Sequence, residues 1–236
     1  MPVSDLWAVV PAAGTGVRLG ADIPKQYLTL AGLPMIEHTL RALLANDQIR
    51  AVVVAVDPAD TLIDTLPSAT DRRVIIVHGG QERSHSVLAA LDTVAELGKS
   101  GDWVLVHDAA RPCLPRSALD RLIAAARSSN TGSILVSPVD DTLKQVNAEG
   151  EVIATVDREA MRRAQTPQMF PLGVLRASIA EALAAHYSVT DEASAMEFAG
   201  HPVATVPGPR CNIKVTVAED VALAEWYLTT TERGLQ

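Results

Sequence analysis

Leu6-Trp7-Ala8-Val9-Val10 runs without a break into Pro11-Ala12-Ala13-Gly14-Thr15-Gly16-Val17-Arg18, an apolar stretch that ends in a turn of small residues. A short unbroken apolar run bounded by turn formers reads as a strand buried on both faces. The two glycines that follow let backbone N–H groups come close to a phosphate, and Arg18 and, after Pro24, Lys25 add full charges. A glycine pair alone is an ordinary turn; with these cations beside it the segment reads as a phosphate cradle. It is not GxGxxG, because residue 19 is Leu19, and it is not the GxxxxGKS/T of phosphate-loop NTPases.

Working outward, similar apolar runs recur at Ala51 to Val56, Val74 to Val77, Trp103 to His107 and Ser133 to Val136. Helical periods separate them. Ile36, Leu40, Leu43 and Leu44 share one face, as do Val87, Leu88, Leu91 and Val94, with Gly98 closing that second helix. A third helix is expected to start at Pro115 and to bury Leu119, Leu122, Ile123 and Ala126. Strand alternating with helix predicts a Rossmann-like three-layer α/β sandwich, a twisted and mostly parallel sheet covered on both faces.

The rhythm changes after Pro138. Asp141 to Val146 and Glu151 to Val156 are β-like runs of mixed polarity joined by Asn147-Ala148-Glu149-Gly150, which predicts a hairpin. Because its strands are only partly apolar and a lone hairpin is marginal in water, it is expected to project as an arm, at about 138–160, that a partner subunit covers. Helices near Leu172 to Ala185 and Asp191 to Ala199, a strand at Val203 to Val206 and a last helix follow. Thr216 and Glu219 have the S/T-x-x-E spacing of a capping box for that last helix.

With 236 residues, 48% of them hydrophobic and 20% charged, the chain fits one continuous globular core spanning 1–236. An aromatic content of 3% and a net charge of −8 argue against a nucleic-acid binder, which needs stacking platforms and a basic excess. Any phosphate site must therefore be a local basic patch. Cys113 and Cys211 stand in no metal or redox spacing and read as small hydrophobes. The start of the chain lacks a basic n-region and a cleavage signal, and no run of about 18 apolar residues could span a bilayer. A cytoplasmic location without membrane contact is expected.

Asp108 follows the Trp103 to His107 run, so its carboxylate is expected at the C-terminal end of a strand, where open α/β sheets bind ligands. Beside a triphosphate cradle, a hard oxygen there suits Mg²⁺. His107 reads as a packed or loop histidine and receives no role.

Pro11-Ala12-Ala13-Gly14-x-Gly16-x-Arg18 with Pro24-Lys25-Gln26-Tyr27 resembles the signature of nucleotidyltransferases that activate small phosphates, specifically the 2-C-methyl-D-erythritol 4-phosphate cytidylyltransferase family. Gly79-Gly80-x-Glu82-Arg83-x-x-Ser86-Val87, Val106-His107-Asp108-Ala109-Ala110-Arg111-Pro112, Thr166-Pro167-Gln168, Thr190-Asp191-Glu192-Ala193-Ser194 and Asn212-Ile213-Lys214-Val215-Thr216 agree with it in order. The resemblance implies CTP as donor, with Ala12, Ala13, Gly14, Gly80 and Ser86 around the cytosine and ribose and Gly16 in the cradle. Gln81 stands where some relatives carry Asp, so its contact with the base is the open point. Asp108 is implied to hold Mg²⁺ at the α-phosphate. Arg111, Thr142, Arg158, Thr166, Thr190 and Lys214 match positions on the acceptor side, with Thr142 and Arg158 on opposite arms of the hairpin. In the family that hairpin reaches into the neighbouring subunit, which implies a homodimer in which Arg158 serves the partner's site.

The chemistry expected is CMP transfer to methylerythritol phosphate with Lys25 and Arg18 stabilising the charge on the α-phosphate and the leaving pyrophosphate, and Lys214 drawing in the acceptor. Ribitol 5-phosphate as acceptor, a sugar 1-phosphate or UTP as substrate, and a non-catalytic nucleotide-binding module are the alternatives. The joint presence of Arg18, Lys25, Asp108 and Lys214 speaks against the last.

Overall fold

Val, Ile and Leu runs pack well on a pleated, doubly covered surface, and each such run in this sequence becomes a strand of the main sheet. The computed structural model of the protein describes residues 4–14 and 23–234. In chain order the elements are β1 (Leu6–Pro11), the short pair β2 (Thr29–Leu30) and β3 (Leu33–Pro34), α1 (Met35–Leu44), β4 (Ile49–Val56), β5 (Val74–His78), α2 (Arg83–Leu97) and β6 (Trp103–Val106). Then come α3 (Arg116–Ser129), β7 (Ser133–Pro138), β8 (Leu143–Val146), β9 (Val152–Val156), β10 (Arg162–Pro171), α4 (Leu172–Ala184), α5 (Glu192–Phe198), β11 (Ala204–Pro207) and α6 (Ala218–Gly234).

Seven strands form the main sheet in the order β11-β7-β10-β6-β1-β4-β5. The β1 pairs with β4 and β6, like β4 with β5 and β7 with β11, are parallel; β10 runs antiparallel to both its neighbours. Successive side chains of β1 point to opposite faces. Leu6, Ala8 and Val10 join α1 and α3 in one core, while Trp7 and Val9 join α2, α4 and α5 in the other. Each Val or Leu so buried contributes about 1.5–3 kcal/mol, which is why the alternation and the three layers specify each other. The expected α/β sandwich is the one observed.

The chain leaves β1 for β4 on one side and returns through β6 on the other, so a crevice opens at the C-terminal ends of β1 and β6. That topology alone brings the loop after Pro11 beside the loop after Val106.

Two expectations change. Arg162 to Pro171 forms a strand, β10, that was not among the expected elements, although Arg162, Arg163, Gln165 and Gln168 break the apolar pattern and Pro167 would argue against a central strand. Neighbours satisfy its polar groups instead: Gln165 Nε2 donates to Pro209 O at 3.0 Å, and Gln168 Nε2 donates to Asp191 Oδ2 at 2.8 Å. Its ladder with β7 is interrupted between Ala164 and Gln168, where Pro167 lies. The cap of α6 also differs from the Thr216/Glu219 reading. Asp220, one residue further on, accepts from the Thr216 N–H at 2.7 Å, the Thr216 hydroxyl at 2.9 Å and the Val217 N–H at 3.1 Å. The helix begins at Ala218, so Asp220 rather than Glu219 is the third residue and can reach back.

The hairpin of β8 and β9 is a separate two-stranded sheet. Val152 and Ile153 are 60% and 58% exposed on it, as expected of an arm outside the core. Thr142 and Arg158 flank its strands rather than lying on them. No helix among the described residues is long and apolar enough to cross a membrane.

Candidate active site

The crevice is a cleft of about 170 Å³. Its β1 side is Ala12, Ala13 and Gly14, with Lys25 above them; its α2 side is Gly80, Gln81 and Ser86; Asp108 and Lys214 close the end. Nine residues expected at the site thus line one cavity. Arg18 and Gly16, also expected there, lie outside the described residues.

Each wall is held by a specific bond. The Ala12 N–H donates to Ala55 O at 2.7 Å, and Gln26 Nε2 donates to the Ala12 carbonyl at 2.8 Å. Both ends of the Ala12 peptide environment are thereby fixed before any ligand arrives. Ser86, in the first turn of α2, accepts from the Gly80 N–H at 3.1 Å. Gly79 explains how the walls come so near. A Cβ there would stand 2.6 Å from Ala13 Cβ and 2.7 Å from Ser86 Oγ, so any side chain would push the β1 loop away from α2. The cleft also faces the N-terminus of α2, whose unpaired N–H groups favour an anion.

Asp108 is the centre of charge. Its Oδ1 accepts from Arg83 Nε at 2.9 Å, its Oδ2 is 2.9 Å from Lys214 Nζ, and Arg111 Nε lies 3.8 Å from Oδ2. Burial alone would raise this carboxyl, but Arg83, Lys214 and Arg111 outweigh it and hold the group far below the usual carboxylate range. Arg83 is itself anchored on buried Glu192, donating to Oε1 at 2.8 Å and Oε2 at 3.1 Å. Burial raises the Glu192 carboxyl, while these two guanidinium bonds work against the rise. Lys25, also in the lining, has Nζ 3.4 Å from Val215 O, the carbonyl next after Lys214.

A second cavity shares Arg83, Asp108 and Lys214 with the first and is lined also by Arg111, Thr166 and Thr190 among others. It brings together the expected acceptor residues except Thr142 and Arg158, which line neither cavity. Arg111 is braced by a 2.8 Å bond to Asn212 O, and its buried Nε makes no hydrogen bond, with Asp108 Oδ2 3.8 Å away.

Thr166 proves to be an internal strut. Its Oγ1 accepts from the Asp108 N–H at 3.0 Å and lies 2.9 Å from His107 Nδ1. His107 Nε2 faces the Arg111 carbonyl at 3.1 Å, which can only accept, so Nε2 carries the proton and Thr166 donates to Nδ1. Burial depresses His107 to about 4. It is a neutral, fully engaged packed histidine, in keeping with its unassigned reading.

Arg83, Glu192, Gln26 and Gly79 had no role in the sequence reading, although all stand inside segments that carried the resemblance. Their positions in those segments were the available signal; their partners, far away in sequence, were not visible.

A family model described as IspD, 2-C-methyl-D-erythritol 4-phosphate cytidylyltransferase, matches residues 6–230. A protein of that name from Aeromonas hydrophila is 53% identical over 223 residues, covering 94% of this chain and 89% of the relative. Its namesake from Vibrio parahaemolyticus is 50% identical, with 98% of each chain covered. Among solved structures, a 4-diphosphocytidyl-2C-methyl-D-erythritol synthase superposes with a TM-score of 0.83 at 35% identity, covering 96% of this chain and 99% of the other. The Francisella tularensis 2-C-methyl-D-erythritol 4-phosphate cytidylyltransferase gives 0.80 at 33% identity, covering 95% and 100%.

Proposed function

The chain belongs to the 2-C-methyl-D-erythritol 4-phosphate cytidylyltransferase family, and from that premise we propose that its cleft transfers CMP from CTP to 2-C-methyl-D-erythritol 4-phosphate and releases pyrophosphate. The observation that carries this reading is the set Arg83, Asp108 and Lys214, which lines both cavities. One cavity suits a nucleoside triphosphate and the other a small phosphate, and the set puts cations where the two anions meet.

CTP carries about four negative charges and a phosphate monoester about two near neutral pH, so repulsion is the obstacle. An ionised phosphate oxygen of the acceptor attacks the α-phosphorus in line; the new P–O bond forms as the bond to the β-phosphate oxygen breaks, and pyrophosphate leaves with that electron pair. No general base is required, which fits a neutral His107 whose two nitrogens are both engaged. Lys25 stabilises the α-phosphate and the leaving group, the role also expected of Arg18 from the sequence. Lys214 and the Arg111 guanidinium orient the acceptor. Thr166 acts by holding the Asp108 backbone, and Thr190 closes the acceptor cavity. Ala12, Ala13, Gly14, Gly80, Gln81 and Ser86 surround the cytidine.

A divalent cation fits Asp108 in one way. Among the described residues no group of three or more potential metal-holding side chains forms, so the protein offers a lone carboxylate. Magnesium bound with a nucleotide takes one or two carboxylates and completes its shell with phosphate oxygens and water, which suits this donor set. When bound, Mg²⁺ supplies positive charge across the triphosphate oxygens.

The chain works as one nucleotidyltransferase domain in a cytoplasmic homodimer. The exposed apolar residues of the arm, and the position of Thr142 and Arg158 away from their own chain's cavities, support an arm that completes the partner's site. Pyrophosphate release tests the function: CTP with methylerythritol phosphate should turn over, and UTP or ribitol 5-phosphate should give at most a small fraction of that rate. Faster turnover with either substitute, or none with any pair, contradicts the proposal.

A further inference from the structure

Arg83 is shared between two carboxylates, unequally. Two parallel hydrogen bonds tie it to Glu192, and a single one, from Nε, ties it to Asp108 Oδ1. Paired guanidinium–carboxylate bonds are the stronger and geometrically fixed kind. Glu192 is the first residue of α5 and is 1% exposed, and Arg83 is the first residue of α2, so each end of the pair is set by a helix start rather than by a flexible loop. The capping box of Asp191 and Ser194 fixes the backbone that carries Glu192.

Both Asp108 oxygens are therefore met by cationic side chains, Oδ1 by Arg83 and Oδ2 by Lys214. A divalent ion that reaches Asp108 displaces one of them. Arg83 is the partner that can let go without losing its charge compensation, because Glu192 retains it. On the reading of Asp108 as the residue that meets the nucleotide's divalent cation, we propose that Arg83 and Glu192 are positioning residues that set how readily Asp108 accepts that cation. Arg83 holds Oδ1 in place until the cation arrives, and Glu192 then keeps Arg83 from competing for it.

Charge bookkeeping gives the variants opposite signs. Glu192→Gln preserves shape and removes the rival anchor, so Arg83 falls back on Asp108 and the cation meets a stronger competitor. Arg83→Gln combined with Glu192→Gln removes competitor and anchor together and leaves no buried charge unpaired.

The experiment is calorimetric titration of the full-length protein with CTP, with and without Mn²⁺ and with no acceptor present. The ratio of the two affinities reports coupling between cation and nucleotide at the site. Glu192→Gln should reduce that ratio about tenfold, and the double variant should return it to within about threefold of the wild-type value. Should Glu192→Gln not fold, Glu192→Asp, which withdraws the anchor by one methylene, should lower the ratio in the same direction. A purely structural pair would weaken CTP equally with and without Mn²⁺, leaving the ratio unchanged, and that result overturns the proposal. A ratio that falls alike in the single and double variants overturns it too. Wild-type protein that binds no CTP under either condition overturns the proposed function as well, which separates that failure from this one.

Discussion

At the scale of single residues, the proposed mechanism places fixed charge where charge develops. Lys25→Ala removes a donor aimed at the transferring phosphate and should lower kcat by about 10²–10³, with melting temperature little changed; near-normal turnover would refute the assignment. His107 makes a different prediction. Its folded value of about 4 lies below the ordinary 6.5, so between those values the unfolded chain binds a proton that the folded chain refuses. Stability from this group is complete above pH 6.5 and is lost as pH falls towards 4. Melting temperature should drop through that window in the wild type and drop less in His107→Gln; equal slopes would contradict it. The residues lining the cleft were legible as types in sequence, since glycines, lysines and Asp108 advertise phosphate chemistry. Residues that act through others were not. Arg83 and Glu192 are 109 positions apart, and Gln26 reaches back 14 to the Ala12 carbonyl. Only the folded chain makes either pair.

At the scale of elements, legibility followed burial pattern. The runs of β1, β4, β5, β6 and β7 are apolar on both faces, so an unbroken hydrophobic run identified each. The β10 strand failed that test because its Gln165, Thr166 and Gln168 are buried by satisfying one another's neighbours instead of by being apolar. The same polar character is what lets β10 carry Thr166 beneath Asp108, so the least readable strand is one that serves the site. The arm is the opposite case: legible because it does not belong to the core. Val146, Val152 and Ile153 are each more than half exposed, an apolar surface that a second copy would cover. Ile153→Asp should leave the sheet intact by circular dichroism and shift sedimentation from dimer to monomer, with turnover falling as the partner's Arg158 is withdrawn. A dimer that persists at unchanged activity would show that the arm is not the interface.

At the scale of the whole molecule, a net charge of −8 coexists with a cleft that gathers cations round one buried carboxylate. The bulk of the surface keeps polyanions away, while the switch point between β1 and β6 concentrates positive charge where two small anions are to meet. Topology does the placing: strand β1 brings the cradle, β6 brings Asp108, and the segment after β11 brings Lys214. The most direct measurement of this central claim is a crystal structure with CTP bound. The cytosine should lie against Gly80 and Ser86, with the α-phosphate between Lys25 and Asp108 and facing the Arg111 cavity. A triphosphate seated away from the Gly14 turn and from Lys25 and Lys214 would contradict it.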